Sequence, residues 1–297
     1  VYKRQITDII VVVGYRREQV QDSLGGGEEL GVRIRYIEQA HQLGTADALW
    51  SARDVVDDDF LVLPGDNLIS AETIQPLLTA DREAMLVKET GSPFHYGMVV
   101  EENGWAVEIV EKPGDPISRW VNTGNYRLSR DILAYLPNQV DLPTALQQRI
   151  NDEHMIQVKP TGGVWLDANY PSDLLDLNDW ALRGIQPSDE GEHGEGVIVK
   201  GPVVIGRNTR LRGHCYVVGP VVIGSGSELG PYTCLFPGTV IGHNVSIGSF
   251  TEIRNSVIED SVQIGPHSLV HRSFIAQGCA FAGGTVARGA RTSNFRN

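Results

Sequence analysis

Cysteine is scarce in this chain of 297 residues: there are three, Cys215, Cys234 and Cys279, and no Cys-x-x-Cys pair. That pattern excludes a disulfide framework and a cysteine zinc site and fits a reducing cytoplasm, the expected location. Long apolar runs are missing too. The longest near the start, residues 9–13, is too short for a signal-peptide core or a membrane span, so a soluble protein with no membrane partner is expected. Basic residues are outnumbered, 25 Lys and Arg against 37 Asp and Glu, and a net charge of −12 excludes a general nucleic-acid binder. Runs such as Asp57-Asp58-Asp59 read as solvated turns. No initiator methionine is present; residues 1–5 lead straight into an apolar stretch ending at Gly14 that reads as a buried parallel strand, so an upstream segment is expected.

What the chain does have is a strict hexad. Ile205, Leu211, Val217, Ile223, Leu229, Leu235, Ile241, Ile247 and Ile253 follow one another every sixth residue. Neither an α-helix nor an ordinary sheet has that period. A left-handed parallel β-helix does, because each of the three faces of a coil sends one large side chain to the axis. Two residues ahead of each aliphatic stand Val203, Thr209, Cys215, Val221, Ser227, Thr233, Thr239, Val245 and Thr251, all small or β-branched, which suits tight corners and pleated strands. The phase slips by one at Ile258 and resumes through Ile264 and Val270.

Residues 6–183 read differently. Strand-like and helix-like segments alternate: strands over 9–13, 32–38, 60–63 and 85–88, helices over 16–24, 45–53 and 71–78. This pattern predicts βαβ units around a mostly parallel sheet. Residues 96–100 and 106–110 form a predicted hairpin, with Asn103-Gly104 in its turn. Segments 131–136 and 142–151 read as helices, 155–158 and 164–167 as strands, and 171–182 as a helix opened by Pro171. Residues 184–196, polar and rich in glycine, read as a linker. The predicted domains are therefore 1–183 and 197–297.

In an open α/β sheet, ligands bind beyond the carboxyl ends of strands. Three such places carry suggestive residues. Glu38-Gln39-Ala40-His41-Gln42-Leu43-Gly44-Thr45 leads from a strand into a helix; a glutamine amide offers a donor and an acceptor to a flat heterocycle edge, although the stretch alone is also an ordinary βα turn. Pro64-Gly65-Asp66-Asn67 places a carboxylate after an apolar strand, suited to Mg²⁺ or to a plain turn cap. Trp165-Leu166-Asp167 does the same, and two carboxylates from distant strands can share one metal.

In this order, E-Q-x-x-Q-L-G-T-A-x-A, G-D-N, Y-G-x-V, E-K-P, N-T-G and W-x-D, followed by a hexad β-helix, the chain resembles the sugar-1-phosphate nucleotidylyltransferases, above all the two-domain bacterial and archaeal enzymes with uridylyl- or thymidylyltransferase activity. The resemblance implies an α/β, Rossmann-like nucleotidyltransferase domain, incomplete at its start, followed by a left-handed parallel β-helix of hexapeptide repeats. It implies a nucleoside triphosphate and a sugar-1-phosphate as partners and Mg²⁺ as cofactor. Gln39 and the Gly44 backbone would read the base, with Gln42 and Thr45 supporting the loop. Asp66 and Asp167 would hold the metal. Gly97, Glu111 and Asn122 would bind the sugar, and Lys112 would neutralise its phosphate.

The product expected is UDP-N-acetylglucosamine, with glucose-1-phosphate thymidylyl transfer as the alternative. The family's G-x-G-T-R loop is not found, so little turnover is expected from these residues alone. The β-helix implies a homotrimer, and in related enzymes it binds acetyl-CoA. His267 matches the base of their acetyltransferase signature, but Val270 replaces its tyrosine and His271-Arg272 its Gly-Asp. A silent regulatory subunit and a pure acyltransferase are the rival expectations. The segment ends at Asn297 without an evident cap.

Overall fold

The computed structural model describes residues 6–91, 95–168 and 173–292. The chain divides into two compact units, Val1–Trp165 and Leu166–Asn297. Residues 1–5, Pro171 and Asn297, which carried sequence expectations, lie outside the described residues.

In the first unit, β1 (Asp8–Val13) and β2 (Arg33–Glu38) form a parallel pair in the register Val11 to Tyr36, flanked by α1 (Arg17–Leu24). The helix α2 (Thr45–Ser51) leads to β3 (Asp59–Val62), β4 (Asn67–Ile69) and α3 (Ala71–Leu78). Ser70 caps α3 by accepting from the Thr73 amide at 3.2 Å. Then come β5 (Ala84–Glu89), the hairpin β6 (Met98–Glu102) and β7 (Trp105–Val110), β8 (Trp120–Ser129), α4 (Leu142–Asn151), β9 (Gln157–Pro160) and β10 (Trp165–Asp167), where the first unit passes into the second.

The main sheet has the order β3-β8-β5-β9-β7-β6. It is mixed, not mostly parallel: of its pairs only β5 with β9 is parallel. The causes are β7, antiparallel to β6 and β9, and β8, which runs antiparallel to β3, β5 and β6 and which no hydrophobic pattern had indicated. The inward positions of β8 include Asn122, Thr123 and Asn125, all buried. One face of the sheet buries Met85, Val87, Tyr126 and Leu128 with Ala145 and Leu146 of α4; the other buries Ala84 and Leu86 with Leu77 of α3. Each such large side chain contributes about 1.5–3 kcal/mol. The helix expected over 131–136 is a 3₁₀ helix, Arg130–Tyr135.

The second unit is a parallel β-helix with three sheets, of seven, six and six strands. Ile205, Ile223, Ile241, Ile258 and Ile275 stand in one column. Partners are 18 residues apart up to Ile241 and 17 apart beyond it, so the phase slip in the sequence is a coil one residue shorter. The hydroxyl row explains itself: Thr209 donates to the Gly224 carbonyl at 2.7 Å and Ser227 to that of Gly242 at 2.9 Å, tying corner to corner. Helix α5 (Asp173–Ala181) lies on this unit, its Asn178 amide donating to the Gly238 carbonyl at 3.0 Å.

One boundary is corrected. The coils begin at Ser188, inside the stretch expected to be linker, with Asp189 opposite Ile205 and His193 opposite Leu211. This first coil is polar because it ends the stack: His193 pairs with Asp189 at 3.0 Å where later coils carry aliphatics. A search for aliphatic rows therefore passes over it.

Candidate active site

The strand β8 organises the first unit's candidate residues. The Asn122 amide N–H donates to the Gly97 carbonyl at 2.8 Å, while its side chain donates to the Tyr126 hydroxyl at 2.7 Å and accepts from the Gly124 amide at 3.1 Å. Glu111 closes on Gly97: a Cβ there would stand 2.5 Å from Glu111 Oε1, so the carboxylate lies directly on that backbone. Glu111, Gly97 and Asn122, expected to bind sugar, are thus one cluster. Burial raises the Glu111 pKa, the Asp141 carboxylate raises it further, and Lys112 lowers it. Burial also raises the Tyr126 hydroxyl, which the bond from Asn122 partly offsets. Lys112 is exposed and held at φ 42°, an uncommon backbone for a residue with a side chain.

The second cluster surrounds Asp66, which is exposed on the loop after β3. Asn67 Nδ2 donates to Asp66 Oδ1 at 3.3 Å. Asn67 Oδ1 in turn accepts from the Trp165 indole at 2.8 Å and from Asn125 at 3.4 Å. The Trp165 ring meets Tyr96 with centroids 5.1 Å apart, and Pro64 lies against Gly124. The G-D-N motif, 55 or more residues ahead of N-T-G in the chain, therefore packs against β8, which carries N-T-G. Asp167 ends β10 in the second unit.

The third cluster is the turn from β2 into α2. Gln39 Nε2 donates to the Gly44 carbonyl at 3.1 Å and to Asp47 Oδ2 at 2.7 Å, so this amide stiffens its own loop. Gln42 lies against Gly14. Gly44, at φ 118°, faces protein and not open space: a Cβ would be 1.9 Å from the Val140 carbonyl oxygen. Thr45 Oγ1 accepts from the Leu142 amide at 2.9 Å. Through Val140, Asp141 and Leu142 the loop is continuous with Glu111, whose charge Asp141 influences.

Asp141, Tyr126, Asn125 and Val140 were missed from sequence, and Asn67 and Trp165, quoted there as motif neighbours of Asp66 and Asp167, were given no role. Only Asp141, three residues ahead of Thr144 and an N-cap of α4 at 2.8 Å, carried a local signal. In the second unit, His267 ends an exposed ladder of stacked rings, His214, Tyr232, Phe250 and His267, with centroids 4.9, 5.0 and 5.1 Å apart. All four hold left-handed corner backbones, φ 57–61°. Among the described residues, no three or more His, Cys, Asp or Glu are grouped to hold a metal, and no helix is long and apolar enough to cross a membrane.

Residues 1–183 match the model of the nucleotidyl transferase family. Over 98% of its length the chain is 30% identical to the bifunctional protein GlmU of Methanocaldococcus jannaschii, covering 70% of that protein. It is 33% identical, over 82% of this chain and 62% of the relative, to the bifunctional sugar-1-phosphate nucleotidylyltransferase/acetyltransferase of Sulfurisphaera tokodaii. A crystal structure of a glucose-1-phosphate thymidylyltransferase from Bacillus anthracis, in complex with a sucrose, superposes with a TM-score of 0.55 at 26% identity, over 62% of this chain and 79% of that one. Strand-end clusters, a β-helix and relatives that span nearly the whole chain agree: this protein belongs to the nucleotidyl transferase family.

Proposed function

We propose that the protein transfers a nucleotidyl group from UTP to a sugar-1-phosphate, forming UDP-N-acetylglucosamine. An oxygen of the sugar phosphate attacks the α-phosphorus; a new P–O bond forms as the bond to the bridging oxygen breaks, and pyrophosphate leaves with that electron pair. Such chemistry needs positioning and charge neutralisation more than covalent help. The observation that carries the proposal is the continuity of the clusters: Gly44 and Thr45 seat on Val140 and Leu142, and Asp141 between them reaches electrostatically to Glu111. A base held at Gln39 and Gly44 and a sugar held at Gly97, Glu111 and Asn122 are then served by one scaffold.

Lys112 neutralises the sugar phosphate in this scheme. Asp66 is an exposed, hard oxygen donor after a strand end, and its partner Asn67 is itself fixed, which suits Mg²⁺ completed by phosphate oxygens and water. Asp66 would hold that ion, which would neutralise charge developing on the phosphates.

Mg²⁺-dependent pyrophosphate release by the full-length protein, with UTP and dTTP each against N-acetylglucosamine-1-phosphate and glucose-1-phosphate, tests the proposal. The expected result is release with UTP and N-acetylglucosamine-1-phosphate, lost in Asp66→Ala. Release with dTTP and glucose-1-phosphate alone would replace it with the thymidylyl reading, and silence with all four pairs in folded protein would sink it.

A second activity, acetyl transfer from acetyl-CoA with His267 as base in a trimer of β-helices, is favoured by the bifunctional names of two relatives. Acetyl transfer that survives Asp66→Ala and fails in His267→Ala would support it; transfer absent from the wild type would refute it.

A further inference from the structure

Lys88 is the least expected charge in the first unit. It stands at the end of β5, half-buried, and its Nζ donates to the Gly163 carbonyl at 2.5 Å. Its pKa is lowered by burial alone, with no carboxylate contributing. Among the described residues no ion pair compensates this lysine for its lost hydration, so its retention in the sheet calls for a gain elsewhere.

The gain lies in what Gly163 carries. On its other side the Gly163 backbone is pressed onto α3: an added Cβ would fall 2.5 Å from both the Thr73 amide nitrogen and its hydroxyl. The next residue, Val164, accepts from the Ser70 amide at 3.0 Å and from the Thr73 hydroxyl, and its own N–H donates to Ser70 Oγ at 3.2 Å. The residue after that is Trp165, whose indole holds Asn67 beside Asp66. The turn of residues 161–165 is therefore clamped between the Lys88 ammonium and the first turn of α3, and it delivers one hydrogen-bond donor to the Asp66 loop.

We infer that Lys88 is a positioning residue for Asp66, acting through the Gly163 carbonyl, the Trp165 indole and the Asn67 side chain. This rests on the proposed role of Asp66 in metal-dependent nucleotidyl transfer. Removing the ammonium frees the turn, the indole N–H loses its fixed approach to Asn67 Oδ1, and the Asp66 carboxylate samples more orientations. Groups that orient a metal-binding side chain without touching the ion typically alter metal affinity by about 10–100-fold. Lys88 acts at one remove from such a group, so the low end applies.

The test compares the full-length protein as wild type, Lys88→Met, Lys88→Arg, Trp165→Phe and the Lys88→Met/Trp165→Phe double variant. Trp165→Phe keeps a ring against Tyr96 and deletes only the donor. Two readouts are taken, the Mg²⁺ concentration for half-maximal pyrophosphate release and amide hydrogen exchange over residues 66–70 and 161–165, with thermal unfolding as a check of the fold.

Lys88→Met is expected to raise the Mg²⁺ requirement roughly tenfold, with less change in turnover at saturating Mg²⁺. Lys88→Arg, whose guanidinium can donate to the same carbonyl, should recover most of it. The double variant should be no worse than the more impaired single variant, because both act along one path. Exchange should quicken over both segments in Lys88→Met.

An unchanged Mg²⁺ requirement in a folded, active Lys88→Met protein overturns the inference, as do additive effects in the double variant or unchanged exchange over 66–70. A wild type with no Mg²⁺-dependent turnover overturns the functional reading instead, and the exchange data still decide whether Lys88 orders the Asp66 loop.

Discussion

Replacing Gly44 by alanine tests whether the loop proposed to read the base works only when seated on the 140–142 segment. Gly44 has φ 118° and ψ −176°, a region nearly confined to glycine that costs any other residue about 1–3 kcal/mol. The new Cβ would stand 1.9 Å from the Val140 carbonyl oxygen and 2.8 Å from its carbon. Ordinary carbon–oxygen contact begins at about 3.3 Å, so the loop must retreat by more than an ångström. That retreat gives up the bond from the Ala46 amide to Val140, now 3.3 Å, and the bond from the Leu142 amide to Thr45, now 2.9 Å. At about 0.5–1.5 kcal/mol for each bond, the seated state loses about 2–6 kcal/mol in all. A loss of about 3 kcal/mol carried wholly by the loop weakens apparent nucleotide affinity roughly a hundredfold. Calorimetric titration with UTP, alongside thermal melts, reads this directly. Gly114→Ala is the control, because a Cβ there meets nothing within 4 Å. Wild-type affinity in Gly44→Ala, or an equal loss in Gly114→Ala, refutes the argument.

Three further outcomes follow from the same structure. Leu235, fully buried between Val217 and Ile253, should cost about 2–5 kcal/mol when cut to alanine, seen as a lower urea midpoint; a shift below about 1 kcal/mol would contradict its place on the axis. Tyr232→Ala removes two stacking contacts from the ring ladder, each worth about 0.5–1.5 kcal/mol, so the second unit should melt lower while keeping its circular dichroism; an unaltered melt would show the ladder to be ornamental. Glu111 has a raised pKa, so its protonated form favours the folded state and that contribution is lost as pH rises through the raised value. Glu111→Gln should therefore be more stable than wild type at neutral pH, with the difference shrinking on acidification, and melts across that range would expose the opposite trend.

The two units differ in how openly the sequence declares them. In the β-helix each coil contacts its neighbours through the same three inward positions, so the pattern repeats and even the one-residue slip at Ile258 survives as a register step. Only the polar first coil, Ser188 to His193, escapes, because a stack end has no reason to be aliphatic. In the first unit the helices α3 and α4 and the hairpin β6–β7 follow their caps and turn residues. The strand β8 does not: Asn122, Thr123 and Asn125 occupy positions where a period-two reading expects apolar side chains. The candidate site residues were legible as motifs, but what joins them was not: Val140 and Asp141 act through a carbonyl and a carboxylate that no spacing announces, and the W-x-D motif does not tell that the Trp165 indole reaches Asn67.

The polarity that hides β8 also explains how it can organise a site. A buried amide is costly unless its donors and acceptors are met, and each partner that meets it becomes fixed in turn. Thr123 donates to the Leu86 carbonyl at 2.8 Å, which locks the strand to β5. Asn122 spends one donor and one acceptor on Tyr126 and Gly124, and Asn125 spends its donors on the Thr123 carbonyl and on Asn67. An apolar strand in this position would bury as well but would hold neither the Gly97–Glu111 cluster nor the Asp66 loop to any particular geometry. Specific bonds from one rigid strand to both fix two loops far apart in the chain relative to one another, as the proposed reaction requires, at the expense of a hydrophobic pattern that the rest of the sheet retains.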